Sequence, residues 1–187
     1  MKESLGLDKL EATIEWLGSV FPNGNFDLNE LSPVFGFLLL WNLFERIQCN
    51  KSGKDFTAKD LVQSGLDDFD KMPEKVLDNA FNHFVERYML DKVNGAERLD
   101  KLGLDRYASN VKPFEQSVKD FITTSLNAEQ KEPNKKLTAL LLIIYRFRNN
   151  LFHGSKDTVM INKFAVEFTV INIFLREYLS AKLIFKP

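Results

Sequence analysis

Apolar residues recur along most of the chain at spacings of three and four, the period of an amphipathic α-helix. Polar stretches interrupt this pattern, and no segment alternates strictly between apolar and polar residues as a half-buried strand does. The pattern predicts helices over 5–20, 32–49, 55–65, 73–91, 113–126, 134–152 and 158–183, and a shorter, less regular helix with a loop over 96–109. The sequence therefore predicts an all-α fold.

Particular residues predict where these helices begin and end. Ser32 followed by Pro33 predicts a helix start, because serine is a favoured N-cap and proline fits the first helical position. Gly65 predicts the end of the short helix that precedes it. The helix after Pro33 is apolar nearly all round as far as Trp41, which predicts a central position. The polar stretch 127–136 is the best candidate for a linker.

Composition bounds the class of protein. The chain has 187 residues, 44% hydrophobic and 27% charged, which suits one globular domain. A single cysteine and two histidines allow no internal disulfide and no Cys/His metal site. No apolar run is long enough to cross a bilayer and no signal peptide is evident, so we expect a cytoplasmic protein without a membrane partner.

Charge gives only a local signal for nucleic acid. The net charge is −1, so the molecule as a whole does not attract a polyanion. Residues 131–156, however, carry six basic residues and one acidic residue. If RNA is a partner, we expect it to bind near this segment.

The segment 145–157, "YRFRNNLFHGSKD", combines side chains that suit chemistry. Arg148 continues the apolar stripe of its helix, where a guanidinium is rarely buried without a partner. His153 lies five residues further, about 140° around a continuous helix, so the two side chains converge only if the helix ends between them. Gly154 supplies such an end, and a histidine at a helix C-terminus is favoured in its protonated form.

Arginine and histidine without a carboxylate cluster suit phosphate chemistry. A guanidinium binds a phosphodiester through two parallel hydrogen bonds, and an imidazole transfers protons near neutral pH. One such histidine per chain is too few for both acid and base, and a two-fold dimer would supply the second. The residues alone leave open the alternative of an ion pair at a helix end beside a capping histidine.

The stretch "RNNLFHG", residues 148–154, resembles the Arg-Asn-x-x-x-His motif of the HEPN superfamily, in the form found in its Apea-like branch. The order of the helices is also similar, with a central helix containing "LLLWNLFERIQ" and the motif at the end of a later long helix. The resemblance implies an antiparallel helical bundle as one domain, residues 1–187. Its core would be residues 1–50 and 131–187, with a helical insertion over 51–130.

The resemblance also implies an activity. Many HEPN proteins are metal-independent endoribonucleases without a cofactor, which act on RNA as homodimers and serve as toxins or in defence against phage. On this basis we expect 2′-hydroxyl attack that leaves a 2′,3′-cyclic phosphate. Arg148 would bind phosphate, His153 would transfer protons, and Asn149 would hold the site. HEPN proteins often carry a polar residue facing the motif, and Glu45 would pair with Arg148 in this way. We further expect substrate contacts from Asn150, Arg146 and Lys156.

Two other interpretations stay open. The alternative is a non-catalytic HEPN module that binds RNA or a partner protein such as an antitoxin, which the near-neutral charge favours. The chain is also compatible with a helical scaffold in which the motif is a coincidence. Burial of Arg148 in an ion pair within one subunit would favour the scaffold.

Overall fold

The computed structural model describes residues 11–16, 19–20, 27–49, 58–104, 110–111, 116–129, 132–152 and 163–184. Helical residues 11–16 and 19–20 are called α1. The other helices are α2 (Leu28–Cys49), α3 (Ala58–Asp68), α4 (Glu74–Val85), α5 (Gly95–Asp100), α6 (Val118–Asn127), α7 (Pro133–Phe152) and α8 (Ala165–Ile184). A 3₁₀ turn (Phe69–Lys71) follows α3, and a π-helical turn (Glu86–Leu90) continues α4. Strands β1 (Asn110–Val111) and β2 (Gln116–Ser117) pair antiparallel. The predicted all-α class is confirmed, because two-residue strands form no layer of their own.

Helix α7 lies at the centre of the core. Every residue from Leu137 to Ile144 is buried, and α3, α4 and α6 pack against this helix. Near its end, the Phe147 ring lies 6.0 Å from that of Phe84 on α4 and 5.8 Å from that of Phe168 on α8. Helix α2 packs along α8 and joins the same cluster of buried side chains. The last turns of α7 therefore stand on a closely packed base.

Helix α2 begins earlier than the sequence pattern predicts. It starts at Leu28, so Pro33 lies inside the helix and the predicted start at Ser32–Pro33 is wrong. Asp27 provides the reason, since its carboxylate accepts from the Asn29 amide at 2.6 Å and its carbonyl accepts from the Leu31 amide at 2.9 Å. Proline in the second turn removes one helical hydrogen bond, and the cap upstream keeps the helix continuous.

Gly65 does not end α3, which continues to Asp68. The residue is buried against α7, and a β-carbon built on it would lie 2.1 Å from Thr138 Oγ1 and 2.8 Å from Thr138 Cα. The glycine therefore allows two helix backbones to approach closely. A helix-stop glycine and a helix-contact glycine look alike in sequence, and here the contact determines its role.

The region predicted as an insertion, residues 51–130, is integral to the core where the structure describes it. Helices α3, α4 and α6 all contact α7 directly, and their apolar residues belong to the same buried cluster as those of α2 and α8. Ser117 caps α6 by accepting from the Asp120 amide at 3.1 Å. None of the described helices combines the length and the apolar character needed to cross a bilayer.

Candidate functional site

The last turns of α7 open to the surface on one side only. Between Leu137 and Asn150 every residue is buried except Tyr145 and Arg148, which are half-buried. Residues three apart lie on the same face of a helix. Glu45 of α2 faces them, and we call Tyr145, Arg148 and Glu45 the α7 window. Between Leu137 and Asn150 it is the part of α7 where side chains keep some contact with solvent.

Arg148 contacts Glu45 and Asn149 at the window. Its Nη2 lies 3.3 Å from Glu45 Oε1, and its Nη1 donates to Asn149 Oδ1 at 3.1 Å. The expected pairing of Glu45 with Arg148 is thus confirmed. The side chains are 28% and 24% exposed, so this pair is not the buried ion pair that would favour a scaffold. A pair that keeps this contact with water contributes about 0–1 kcal/mol, so a phosphate can replace the carboxylate at little cost.

An aromatic contact lies beside the ion pair. The Tyr145 ring lies 6.1 Å from the buried Trp41 ring, at an interplanar angle of 32°. Trp41 and Glu45 are one helical turn apart on α2, as Tyr145 and Arg148 are on α7. The two helices therefore meet through an aromatic pair and, next to it, a charged pair.

Arg146 and Asn150 point elsewhere. Arg146 Nε donates to the Leu102 carbonyl at 2.8 Å, Arg146 Nη2 donates to Asn150 Oδ1 at 3.1 Å, and Asn150 Nδ2 donates to the same carbonyl at 3.4 Å. Both side chains are 5% exposed. Gly103, with φ of 66°, takes the left-handed conformation after Leu102. These contacts fasten α7 to the chain that follows α5, and a substrate contact for either residue stays a prediction.

His153 and Lys156, with Gly154, lie outside the described residues, because α7 is described as far as Phe152 and the chain again from residue 163. Convergence of His153 with Arg148 therefore stays a prediction. The other histidine, His83, lies on α4 beside the buried ion pair of Arg87 and Glu167, outside the window. Burial lowers the pKa of His83 despite the nearby Glu167 carboxylate.

Sequence reasoning overlooked Tyr145 and the anchor at Leu102. Tyr145 follows a run of aliphatic residues and reads as core, and only the exposure along the folded helix distinguishes it. Gly103 gave a usable signal, because a glycine just after a short helix commonly takes the left-handed conformation. No signal in the sequence connects that turn with Arg146, which lies 44 positions from Leu102.

Within the described ranges, no three His, Cys, Asp or Glu side chains come together as a metal ion would require. Comparisons of the chain with models of protein families, with curated proteins and with solved structures found no match. The function therefore has to be inferred from the motif residues and from where the fold puts them.

Proposed function

We propose that this chain is a HEPN-type endoribonuclease that cleaves RNA without a metal ion. The observation that carries the proposal is Arg148, which stays 28% exposed beside buried neighbours near the end of α7 and contacts Asn149 and the Glu45 carboxylate, which a phosphate can displace. A purely structural arginine at this position would be expected in a buried, fully bonded pair.

The reaction follows from the two motif side chains. The 2′-hydroxyl oxygen attacks the adjacent phosphorus, its proton passes to a histidine, and the bond from phosphorus to the 5′-oxygen breaks. A protonated histidine gives its proton to the leaving oxygen, and the products are a 2′,3′-cyclic phosphate and a 5′-hydroxyl. Arg148 stabilises the negative charge that develops on the phosphoryl oxygens. His153 supplies the proton transfer, and His153 of a second copy in a homodimer supplies the other half.

The remaining polar residues support Arg148. Asn149 accepts from its guanidinium, and Glu45 orients the same group until substrate replaces it. Arg146 and Asn150 brace the helix end against the Leu102 carbonyl, and the substrate contacts expected of them from sequence stay predictions. Lys156 keeps its predicted role as a contact to the RNA backbone.

The biological setting is also part of this proposal. Cleavage of cellular RNA is harmful to the host, which suits a toxin or a phage-defence effector in the cytoplasm. An enzyme of this kind requires restraint, and a protein partner such as an antitoxin would provide it. Toxicity on expression that disappears with Arg148→Ala would link the activity to this role.

The test is cleavage of single-stranded RNA in excess EDTA by the purified protein. We expect cleavage by the wild type to products with a 2′,3′-cyclic phosphate. His153→Ala and Arg148→Ala should each reduce the rate about 100-fold or more, because each removes a group that acts on the transition state. Thermal melts of the same variants should differ little from wild type, since the Arg148 pair is half-exposed.

Arg176→Ala is the matched control, because Arg176 is an exposed arginine of α8, 65% exposed, outside the window. It should cleave at the wild-type rate. Equal rates for wild type, Arg148→Ala and His153→Ala would show that any nuclease activity comes from elsewhere. Cleavage that EDTA abolishes would contradict the metal-independent mechanism.

A second candidate function is a non-catalytic module that binds a partner protein. Exposed apolar side chains on α2 favour it: Phe35, Leu39 and Leu43 are 38%, 74% and 40% exposed and lie four residues apart on one face. For this function, expression should be harmless. Partner capture should be lost with Leu39→Lys and retained with Arg148→Ala.

A further inference from the structure

The α7 window places an aromatic ring beside the guanidinium, and the proposed mechanism does not use that ring. Of the fourteen residues from Leu137 to Asn150, only Tyr145 and Arg148 are not buried. The Tyr145 ring lies 6.1 Å from that of Trp41, a residue that is 1% exposed and whose ring lies 4.9 Å from that of Phe44. Tyr145 is therefore packed on one side against buried aromatic side chains.

We infer, on the basis of the ribonuclease function proposed above, that Tyr145 is a substrate-binding residue that stacks on an unpaired base beside the scissile phosphate. Tyr145 and Arg148 are three residues apart on one face of α7, so their side chains are neighbours along the helix. A phosphodiester on Arg148 thus has its neighbouring base within reach of the phenol ring. This arrangement of an aromatic surface next to a cation is the one that single-stranded nucleic acid uses.

The inference specifies the substrate class. A base stacks on a protein ring only if it has left its own helix, so the window selects loops, bulges or single strands. The ring, and not the hydroxyl, provides this contact. Tyr145→Phe should then bind RNA within about twofold of wild type, and Tyr145→Leu should bind about 5- to 150-fold more weakly, the range given by loss of one stacked base.

The experiment measures equilibrium binding of a fluorescent 2′-O-methyl oligouridine, which lacks the attacking hydroxyl and is not cleaved. Affinities are measured against salt concentration. Arg148→Ala should lower the slope of log affinity against log salt by about one, because it removes a phosphate contact. Tyr145→Leu should weaken binding without changing that slope, and it should not alter binding of duplex RNA.

Phe69→Leu is the matched control, since Phe69 is an exposed aromatic residue, 36% exposed, in the 3₁₀ turn after α3. It should bind like wild type. A further measurement needs no variant: 4-thiouridine placed beside the non-cleavable phosphate should crosslink, on irradiation, to Tyr145 of the folded wild type. This crosslink keeps the inference testable if Tyr145→Leu fails to fold.

The failure of this inference differs from the failure of the proposed function. Binding that Arg148→Ala weakens and Tyr145→Leu leaves unchanged would reject the stacking role and keep the nuclease site. Crosslinks that all map away from α7 would reject it as well. Wild type and Arg148→Ala that bind RNA equally, or not at all, would overturn both.

Discussion

Two groups of polar side chains that link α2 to neighbouring helices are built in different ways. One is the α7 window. The other, which we call the Asp68 cluster, joins the ends of α2, α3 and α8, and its members are Asp68, Tyr178, Lys182, Gln48 and Lys71. Asp68 and Lys182 are 5% and 13% exposed at the side chain, against 24% and 28% for Glu45 and Arg148.

The centre of the Asp68 cluster is buried. Tyr178 donates its hydroxyl to Asp68 Oδ2 at 2.6 Å, and Lys182 Nζ lies 2.6 Å from the same oxygen. Gln48 Nε2 donates to the Tyr178 hydroxyl at 2.8 Å, and Lys71 Nζ reaches Asp68 Oδ1 at 3.1 Å. Asp68, with its side chain 5% exposed, is thus surrounded by partners from the protein, and of the named members only Lys71 keeps a large part of its side chain, 40%, in solvent. Burial and the neighbouring Asp68 carboxylate raise the pKa of Tyr178, which keeps the phenol protonated as the donor.

The difference separates a structural use of charge from a functional one. A buried network is stable when every charge in it is paired. If one partner is exchanged, a charge stays buried with neither a partner nor water to stabilise it. A half-exposed pair with a 3.3 Å separation loses little when one partner is replaced. Polar residues alone therefore do not indicate a site, and their ability to change partners does.

Replacement of Asp68 should have the largest effect on stability. Asp68→Asn leaves the Lys182 ammonium buried without its counter-charge, and we expect a loss of about 3–5 kcal/mol in the free energy of unfolding. For a chain of this length, that corresponds to a fall in Tm of roughly 6–20 °C. Thermal and urea unfolding measure both quantities. Asp67→Asn, at the exposed neighbouring position of α3, should stay within about 0.5 kcal/mol of wild type.

The same variant should change the response to acid. Burial alone would raise the pKa of Asp68, but hydrogen bonds from Lys182 and Tyr178 hold it below its usual value of 3.8. Since the folded pKa is the lower one, this contribution is present above the unfolded pKa and is lost as pH falls through the folded pKa. Asp68→Asn should lack that part of the acid sensitivity. An unchanged acid profile would mean that Asp68 is not coupled to folding.

Much of this fold is predictable from apolar spacing, and each wrong prediction has an identifiable physical cause. The period of three and four correctly predicted the long helices α7 and α8, because continuous burial requires it. The predicted start of α2 was wrong because Asp27 and Pro33 both carry helix-start signals, and a proline in the second turn can be tolerated. The predicted helix end at Gly65 was wrong because the role of this glycine depends on Thr138, which lies 73 positions further along the chain and is brought close only by folding.

The site was predictable where the spacing along one helix or the resemblance supplied a signal. It was not predictable where the packing of distant elements decides which side chain is covered. Arg148 stood out as a charge on an apolar stripe, and its pairing with Glu45 followed from the resemblance. Arg146 has an equally basic side chain two residues earlier, yet it is buried on a backbone carbonyl. Sequence spacing gives both residues a helix face, but which face is covered depends on the packing of α2 and of the turn at Gly103.

Removal of the Tyr178 hydroxyl should have an intermediate effect. Tyr178→Phe keeps the packed ring and deletes one donor to a charged acceptor, for which we expect a loss of about 1.5–3 kcal/mol. The two changes share a partner, so Tyr178→Phe should cost less in the Asp68→Asn background than in wild type. Additive losses would contradict a single connected network.

The window should show the smallest effect on stability. Glu45→Gln and Arg148→Ala should each change the free energy of unfolding by less than about 1 kcal/mol, because both side chains stay partly in water. A double-mutant cycle of the two should give a coupling of about 0.2–1 kcal/mol, and raised salt should reduce it. The same cycle measured on RNA affinity should give a different pattern. Glu45→Gln should tighten RNA binding, because it removes a carboxylate that competes with phosphate for the guanidinium, and this gain should be absent in the Arg148→Ala background. A stability coupling of 3 kcal/mol or more, insensitive to salt, would give Arg148 the structural role of Lys182 and remove the basis for exchange with phosphate.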